Sequence, residues 1–449
     1  MSVFENDTPV VKTFVYKNKC YLYDTYNNQL FSVHSRLYYE ICKMQTIGIC
    51  KYMHLNCNDN YYKDVLTLMN KGYLRHGFID KVQHQSTPYI EYLTERCMSH
   101  LVLEVTNSCN FKCRYCHQAS NQTINKKVMN TNVAYRSIDL FYEHSKDAND
   151  LVLTFYGGEP LINFNLIKEM VMYAKDKFKT KRVSFNITTN ASLIDEEIID
   201  FLYSNGFSIL ISLDGDEVIQ NSHRKFLIDG GDTFDIVWNN ILKIRAKYPS
   251  FFNSNVSFNS VRLQDESRRK VVEFFRKNGI SDSSISIRDA DMDGIDYIYS
   301  PLFIDANNRD DDSINKDDFS NVLKLYNNKS KIPKVWHHNG PCIPAVNRLF
   351  VSTEGKFYPC EKVEQDDACS IGDLATGVDI DKVVRILNIG QITSNDCPNC
   401  WALRFCSICV HRCVDNGSLS YDKKVRSCKK TKEDAIRFFK YLIDNKQVK

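Results

Sequence analysis

Three cysteines in one short stretch, Cys109, Cys113 and Cys116 of TNSCNFKCRYCH (106–117), are the residues best equipped for chemistry. Thiolate sulfurs are soft ligands, and three in so short a loop can hold three irons of a 4Fe–4S cluster. The fourth iron is then left without a protein ligand and becomes a place to bind and reduce a small molecule. Tyr115, one residue before the last cysteine, would pack against whatever occupies that position. A zinc knuckle is the structural alternative. It needs a fourth ligand at fixed spacing, and His117 abuts Cys116 too closely to supply one comfortably.

The elements that must position this loop follow from the patterning around it. LVLEV, just before the triad, reads as a strand, so the cysteines lie on the loop after it. Five further apolar runs, LVLTFYGG, RVSFNITTN, SILISLDG, NVSFNSV and SISIRDA, alternate with stretches of helical spacing such as NFNLIKEMVMYAKDKF, DEEIIDFLYSNG and ESRRKVVEFFRKNG. Six strand-then-helix units predict an α/β fold, a partial (β/α)6 barrel, with chemistry at the C-terminal ends of its parallel strands. Candidate residues stand at those ends. Gly157-Gly158-Glu159-Pro160 ends the second strand, where two glycines would let the backbone approach a ligand and Glu159 can accept from an ammonium group. Thr188-Thr189-Asn190 ends the third and Ser212-Leu213-Asp214-Gly215 the fourth. Each taken alone is an ordinary turn or cap sequence.

Together these motifs, across about residues 100–290, resemble the radical S-adenosylmethionine (SAM) superfamily. The resemblance implies that the open iron chelates the methionine amino and carboxylate groups of SAM. Gly157, Gly158 and Glu159 would bind the amino end, Asn190 and Ser212 would approach the ribose, and Arg224 would pair with the SAM carboxylate. It also implies the mechanism: one electron cleaves the C5′–S bond, and a 5′-deoxyadenosyl radical takes a hydrogen atom from the substrate.

A second cysteine field follows a polar bridge at 305–335 that leads into one helix, FSNVLKLYNN. It runs through Cys342, Gly355-x4-Cys360, Cys397-x2-Cys400-x5-Cys406, Cys409, Cys413 and Cys428. Eight cysteines are enough for two more clusters, or for two zinc sites. Order and spacing, with FYPCEK, resemble the SPASM extension of radical SAM enzymes. In that family Cys397, Cys400, Cys406 and Cys428 would hold the outer auxiliary cluster, and Cys342, Cys360 and one cysteine soon after Cys406 the inner one. The chain departs from the common pattern, which puts that next cysteine at the position of Val410. Cys409 and Cys413 flank it instead, so either or both are candidate ligands. One leaves an iron open to a substrate thiolate, and two close the site.

Residues 1–95 read as a separate module. KTFVYKNKCYLYDTYNNQLFSV alternates as a hairpin or three-stranded meander; HSRLYYEICKM and NDNYYKDVLTLMNKGYL have helical spacing, with Asn58 or Asp59 as a cap. This resembles the PqqD-like winged helix-turn-helix fused in front of many peptide-maturing enzymes, in which a precursor's leader adds a strand to the sheet edge. The bland reading is a winged helix of any purpose. The domain reading is therefore a PqqD-like module at 1–95, a radical SAM core at 96–304, a bridge at 305–335 and a SPASM domain at 336–449.

Composition bounds the setting. At 449 residues, two or three domains are natural. A net charge of +3 with both signs interspersed gives no electrostatic case for nucleic acid, and no apolar run spans a bilayer. The start lacks a signal-peptide pattern, so the seventeen cysteines read as thiolates in a reducing cytoplasm. Eleven fall in the two dense groups; most of the other six (Cys20, Cys42, Cys50, Cys57, Cys97, Cys369) read as plain buried small residues.

The resemblance, closest to the subgroup that builds thioethers in ribosomal peptides, implies a SPASM peptide maturase. It would use SAM and three 4Fe–4S clusters, a precursor peptide whose leader binds residues 1–95, and an external reductant such as flavodoxin or ferredoxin. Three alternatives stand beside it. One is a sulfatase maturase making formylglycine, although those chains usually begin near their triad and roughly a hundred residues precede this one. Another is a SPASM enzyme making carbon–carbon bonds or epimerising residues. The last is a non-catalytic zinc- or cluster-binding regulator with a DNA-binding winged helix. Anaerobically reconstituted protein is expected to carry about twelve irons per chain. Iron and sulfide analysis checks this, and about four irons would contradict the three-cluster reading.

Overall fold

A computed structural model describes residues 7–56, 61–116, 126–263, 268–290, 320–338 and 342–448. The suggested caps Asn58 and Asp59, together with Cys57, His117 and residues 305–319 of the polar bridge, lie outside the described residues. The chain divides into two compact units: Met1–Pro88, Ser300–Pro341 and Arg385–Lys449 form one, Tyr89–Tyr299 and Cys342–Val384 the other. These units cut across the boundaries drawn from composition, because each is assembled from segments distant in sequence.

The first unit begins as the meander. Strands β1 (Val11–Tyr16), β2 (Lys19–Asp24) and β3 (Gln29–Val33) pair antiparallel in sequence order. Lys17 and Asn18, both at positive φ, make the two-residue turn whose twist matches a hairpin. Side chains alternate across the sheet, and both faces are buried. Val11 and Leu22 pack against helices Ser35–Ile47, Ile49–Asn56 and Tyr62–Asn70. On the other face, Phe14, Tyr21, Tyr23 and Leu30 pack against Phe405, Phe438 and Phe439 of the C-terminal segment. Arg404 ties the layers together, donating from Nε to Thr25 O at 2.7 Å and from Nη2 to Tyr26 O at 2.8 Å. The N-terminal module and the last cysteine segment therefore share one core. Removing residues 1–88 would uncover three phenylalanines that are fully buried. A short β4 (Lys81–Val82) completes this segment.

The second unit holds the barrel. Strands β5 (His100–Thr106), β7 (Asp150–Gly157), β8 (Arg182–Thr189), β9 (Ser208–Ser212), β11 (Val256–Leu263) and β12 (Ile285–Ala290) lie parallel, in that order, with helices between them. The six predicted strands and the predicted alternation are all present. Asp195 shows why one helix starts where it does: its carboxylate accepts from Ile198 N at 2.9 Å. Two short strands outside the barrel sheet, β6 (Phe111–Cys113) and β10 (Arg224–Phe226), form an antiparallel ribbon that sets Cys113 opposite Arg224.

Downstream, β13 (Val335–Trp336) pairs in parallel with β4 in the first unit. In the second unit β14 (Leu349–Val351) lies parallel along the free edge of β5, and β15 (Lys356–Tyr358), β16 (Gly372–Asp373) and β17 (Gly377–Val378) continue the sheet antiparallel. The six barrel strands alone would leave β5 as an edge. Covering it satisfies a row of backbone groups that an open strand would expose. The last helix, Tyr421–Asp444, runs 24 residues in the first unit, with Ser420 as its cap.

All sixteen described cysteines are free. The scattered ones are less buried than their composition implied: Cys50 is exposed and Cys20, Cys42 and Cys97 are half-buried, leaving Cys369 as the one buried member described. Among the described residues no helix is long and apolar enough to cross a membrane. The shared core of the first unit is testable. Phe439→Ala, which vacates space between Phe14, Tyr23 and Phe405, should cost about 3–5 kcal/mol in urea unfolding. Val15→Ala, at the exposed end of β1, should stay within about 0.5 kcal/mol of the parent.

Candidate active site

The loop carrying Cys109, Cys113 and Cys116 leaves β5 and is held by the ends of the neighbouring strands. Gly158 N donates to Thr106 O and Glu159 N to Ser108 O, each at 2.9 Å. A Cβ on Gly157 would fall 1.9 Å from Thr106 O, and one on Gly158 would fall 2.3 Å from Ser108 O. The glycines thus serve a purpose other than the one inferred from sequence. What they admit at close range is the backbone of the cysteine loop.

Glu159 is buried and fastens β7 to β8. Its carboxylate accepts from Leu161 N at 3.1 Å, from Thr189 Oγ1 at 2.7 Å and from Asn190 N at 2.7 Å. Burial nonetheless pushes its carboxyl up to about 7. Asn190 reaches the loop as well, donating from Nδ2 to Asn110 Oδ1 at 2.9 Å, and Asn110 donates onward to Ser192 Oγ at 2.8 Å.

The centre of the arrangement is Asp214, a fully buried carboxylate. Arg224 grips it from Nε at 3.0 Å and Nη2 at 3.1 Å; Tyr115 donates its hydroxyl at 2.5 Å; Val261 N donates at 2.9 Å; His223 Nδ1 lies at 3.2 Å. Burial alone would raise the Asp214 carboxyl. The Arg224 charge, then bonds from His223, Arg224 and Tyr115, hold it down at about 2. Arg224 was expected to pair with a ligand carboxylate, but in the structure it pairs with Asp214. Its Nη1 turns to Cys113 Sγ at 3.9 Å, and its guanidinium lies 5.3 Å from the Tyr115 ring centroid. Sequence reading treated Asp214 as a turn residue. Its partners are Tyr115, far upstream, and a His-Arg pair ten residues on, so only the fold shows them converging.

All ten candidate residues of the barrel line one cleft: Cys109, Cys113, Cys116, Tyr115, Gly157, Gly158, Glu159, Asn190, Ser212 and Arg224. Asn259 joins them with a buried Oδ1 that has no hydrogen-bond partner among the described residues, an acceptor suited to a polar ligand. Burial pushes the Cys113 thiol up to about 12 and Cys109 higher still. Both are neutral thiols until a metal displaces their protons. This donor set, soft sulfur beside an orphaned acceptor and a buried carboxyl, fits an iron–sulfur cluster and a polar cofactor.

The second field splits between the units. In the first unit Cys397, Cys400, Cys406 and Cys428 lie in one another's fields: Cys400 feels Cys397 and Cys428, and Cys406 feels Cys400 and Cys428. Cys413, buried beside Cys409 and Cys428, donates its Sγ–H to Cys409 O at 3.3 Å. In the second unit Arg348, ion-paired with Glu361 at 2.7 Å, feels both Cys360 and Cys342. Cys369, read from sequence as a plain thiol, faces Cys360 there. Among the described residues no three His, Cys, Asp or Glu side chains converge tightly enough to hold a single metal ion.

Comparison with known proteins agrees with this geometry. Residues 103–281 match the radical SAM superfamily. The uncharacterized protein MJ0907 of Methanocaldococcus jannaschii is 41% identical over 121 residues, 27% of this chain and 40% of that protein. The radical SAM cyclopropyl synthase TigE of Paramaledivibacter caminithermalis is 24% identical over 338 residues, 68% and 66%. The cysteine-type anaerobic sulfatase-maturating enzyme of Clostridium novyi is 28% identical over 193 residues, 40% and 49%. The chain thus spans between 40% and 66% of the length of these relatives. The structure of anSMEcpe with bound AdoMet superposes with a TM-score of 0.53 at 19% identity, covering 78% of this chain and 96% of that one. At that identity the likeness is one of fold. Residues 103–281 are a radical SAM domain, and the chain shares its fold with a sulfatase-maturating enzyme.

The Asp214 hub yields a prediction. Asp214→Asn leaves Arg224 buried without its counter-charge and should cost about 3–5 kcal/mol at neutral pH. A carboxyl whose folded value is depressed contributes stability above its ordinary value of 3.8 and loses it as pH falls toward about 2. Urea unfolding at steps between pH 7 and pH 2 should therefore show the gap between parent and variant closing below about pH 4.

Proposed function

We propose that this radical SAM enzyme modifies a ribosomally made peptide, joining a cysteine sulfur to a carbon of the same peptide as a thioether. The observation that carries the reading is the composition of the first unit, in which a meander with two edge strands and the Cys397–Cys428 field share one core. An edge strand can take up an extended leader through main-chain hydrogen bonds, which gives residues 1–95 their role. Relatedness to maturases of two kinds supports action on a peptide chain.

When bound, the cluster and SAM supply a carbon-centred radical that removes a hydrogen atom from the substrate. The chain's own residues do the rest. Cys109, Cys113 and Cys116 hold the cluster. Gly157 and Gly158 press the loop into place, while Glu159 and the unpartnered Asn259 Oδ1 offer acceptors to the amino and hydroxyl groups of SAM. Asn190 and Ser212 form the wall beside the ribose. Arg224 and Tyr115, locked on Asp214, keep the loop's far side rigid and dry. Thioether formation takes from the peptide one thiol proton, one hydrogen atom and one electron. A one-electron carrier of the flavodoxin or ferredoxin type is the partner such chemistry needs. Cys397, Cys400, Cys406 and Cys428 would hold an outer auxiliary cluster, and the cytoplasm would keep all these thiols reduced.

A second reading, carbon–carbon bond formation, is favoured by the similarity to TigE across 68% of this chain. A third, formylglycine formation, is favoured by the match to a sulfatase-maturating enzyme. One experiment separates them. Reconstituted enzyme, SAM and dithionite are incubated with short cysteine-rich peptides drawn from reading frames neighbouring its gene, and the product is alkylated and analysed by mass spectrometry. A thioether product has lost two hydrogens and one alkylatable thiol per cross-link. A carbon–carbon product keeps every thiol, and formylglycine is trapped by a hydrazide. Cleavage of SAM with no change in any peptide mass would reject the proposal.

A further inference from the structure

Lys424 has a side chain that is fully buried, in the first turn of the helix Tyr421–Asp444. Among the described residues its ammonium has two polar partners: Thr393 Oγ1 at 2.5 Å and Cys397 Sγ at 3.8 Å. Thr393 Oγ1 itself lies 3.1 Å from Cys397 Sγ, so the two side chains form a small polar wedge against one sulfur. Cys406, Cys413 and Cys428 all feel the Lys424 charge. Burial and then the fields of His337, Lys424 and His84 push the His338 imidazole well below its ordinary value, so it adds no second positive charge here.

A buried ammonium with no carboxylate is expensive, and proteins normally pair it. Among the described residues, the hydrogen-bond partner of this ammonium that can carry negative charge is the Cys397 sulfur. Neutral thiols do not repay the desolvation; thiolates sharing a cluster do. Lys424 makes sense as the internal counter-ion of a cluster with net negative charge. A positive charge and hydrogen bonds next to a cluster sulfur stabilise the reduced form more than the oxidised one.

We propose that Lys424, with Thr393, sets the reduction potential of the auxiliary cluster held by Cys397, Cys400, Cys406 and Cys428, raising it so that the cluster accepts an electron more readily. The inference rests on the proposed reading that these four cysteines hold a 4Fe–4S cluster. Lys424 touches a ligand and not the reacting atoms, so its role is one of tuning.

The test uses full-length protein, reconstituted anaerobically, in a Cys109/Cys113/Cys116→Ala background so that auxiliary signals are seen alone. Iron and sulfide are assayed first. Potentiometric titration with dithionite, followed by electron paramagnetic resonance, then gives midpoints for Lys424→Met, Lys424→Arg and Thr393→Val. Expected is parent iron content with a more negative midpoint for Lys424→Met, a smaller shift the same way for Thr393→Val, and a near-parental value for Lys424→Arg. Full iron with unmoved midpoints in Lys424→Met and Thr393→Val overturns the proposal. Should Lys424→Met fail to keep its cluster, Thr393→Val still decides, because it leaves the ammonium in place and an unchanged midpoint there overturns the shared role. A background protein without auxiliary iron overturns the underlying cluster reading, an outcome visible before any potential is measured.

Discussion

The barrel site depends on one buried ion pair, Asp214 with Arg224. Two full charges removed from water are tolerated because every lone pair of the carboxylate is used: arginine, tyrosine, histidine and a backbone amide all converge on it. The payoff is geometric. Tyr115 and Cys113 belong to the cysteine loop, Val261 to β11, and His223-Arg224 to the helix and strand that follow β9. A single carboxylate therefore fixes the loop against two strand ends and one ribbon. The glycine pair and Glu159 do the same from the other side, so the loop is clamped between two sets of strand termini.

Both cysteine sites put a cation beside a sulfur. Arg224 Nη1 faces Cys113 in the barrel, and Lys424 Nζ faces Cys397 in the other unit. Burial raises the thiols of Cys113 in the barrel and Cys406 in the other unit, so both are protonated without metal. Metal binding must expel those protons, and the neighbouring positive charge lowers the cost of the thiolates that result. The cations differ in one respect that matters. Arg224 has its own carboxylate and is neutralised whatever the cleft contains, whereas Lys424 is held, among the described residues, by a hydroxyl and a sulfur.

The first unit joins two segments from opposite ends of the chain. The meander offers edges on which a peptide can lie, yet its buried face is completed by Phe405, Phe438 and Phe439, and Phe405 directly precedes Cys406. The packing of the meander thus also supports the cysteine segment. A perturbation of one therefore reaches the other through a shared hydrophobic core.

The sequence by itself determined the parallel barrel, the loop bearing the cysteines and the strand ends where candidate residues stand. Each of these is written in local periodicity: alternation or apolar runs for strands, helical spacing between them, and turn residues at the junctions. It also determined the meander, through the positions of Lys17-Asn18 and the alternating run around them. What only the tertiary structure decided depends on contacts between residues far apart in the chain. The role of Gly157 and Gly158 is set by the carbonyls of Thr106 and Ser108, which no spacing rule brings near. Asp214 acquires its importance from Tyr115, 99 residues upstream. The cover on the free edge of β5 comes from residues past 340, and the partner of the N-terminal sheet comes from the last helix. Periodicity encodes which face of an element is apolar, and only three-dimensional packing chooses what that face meets.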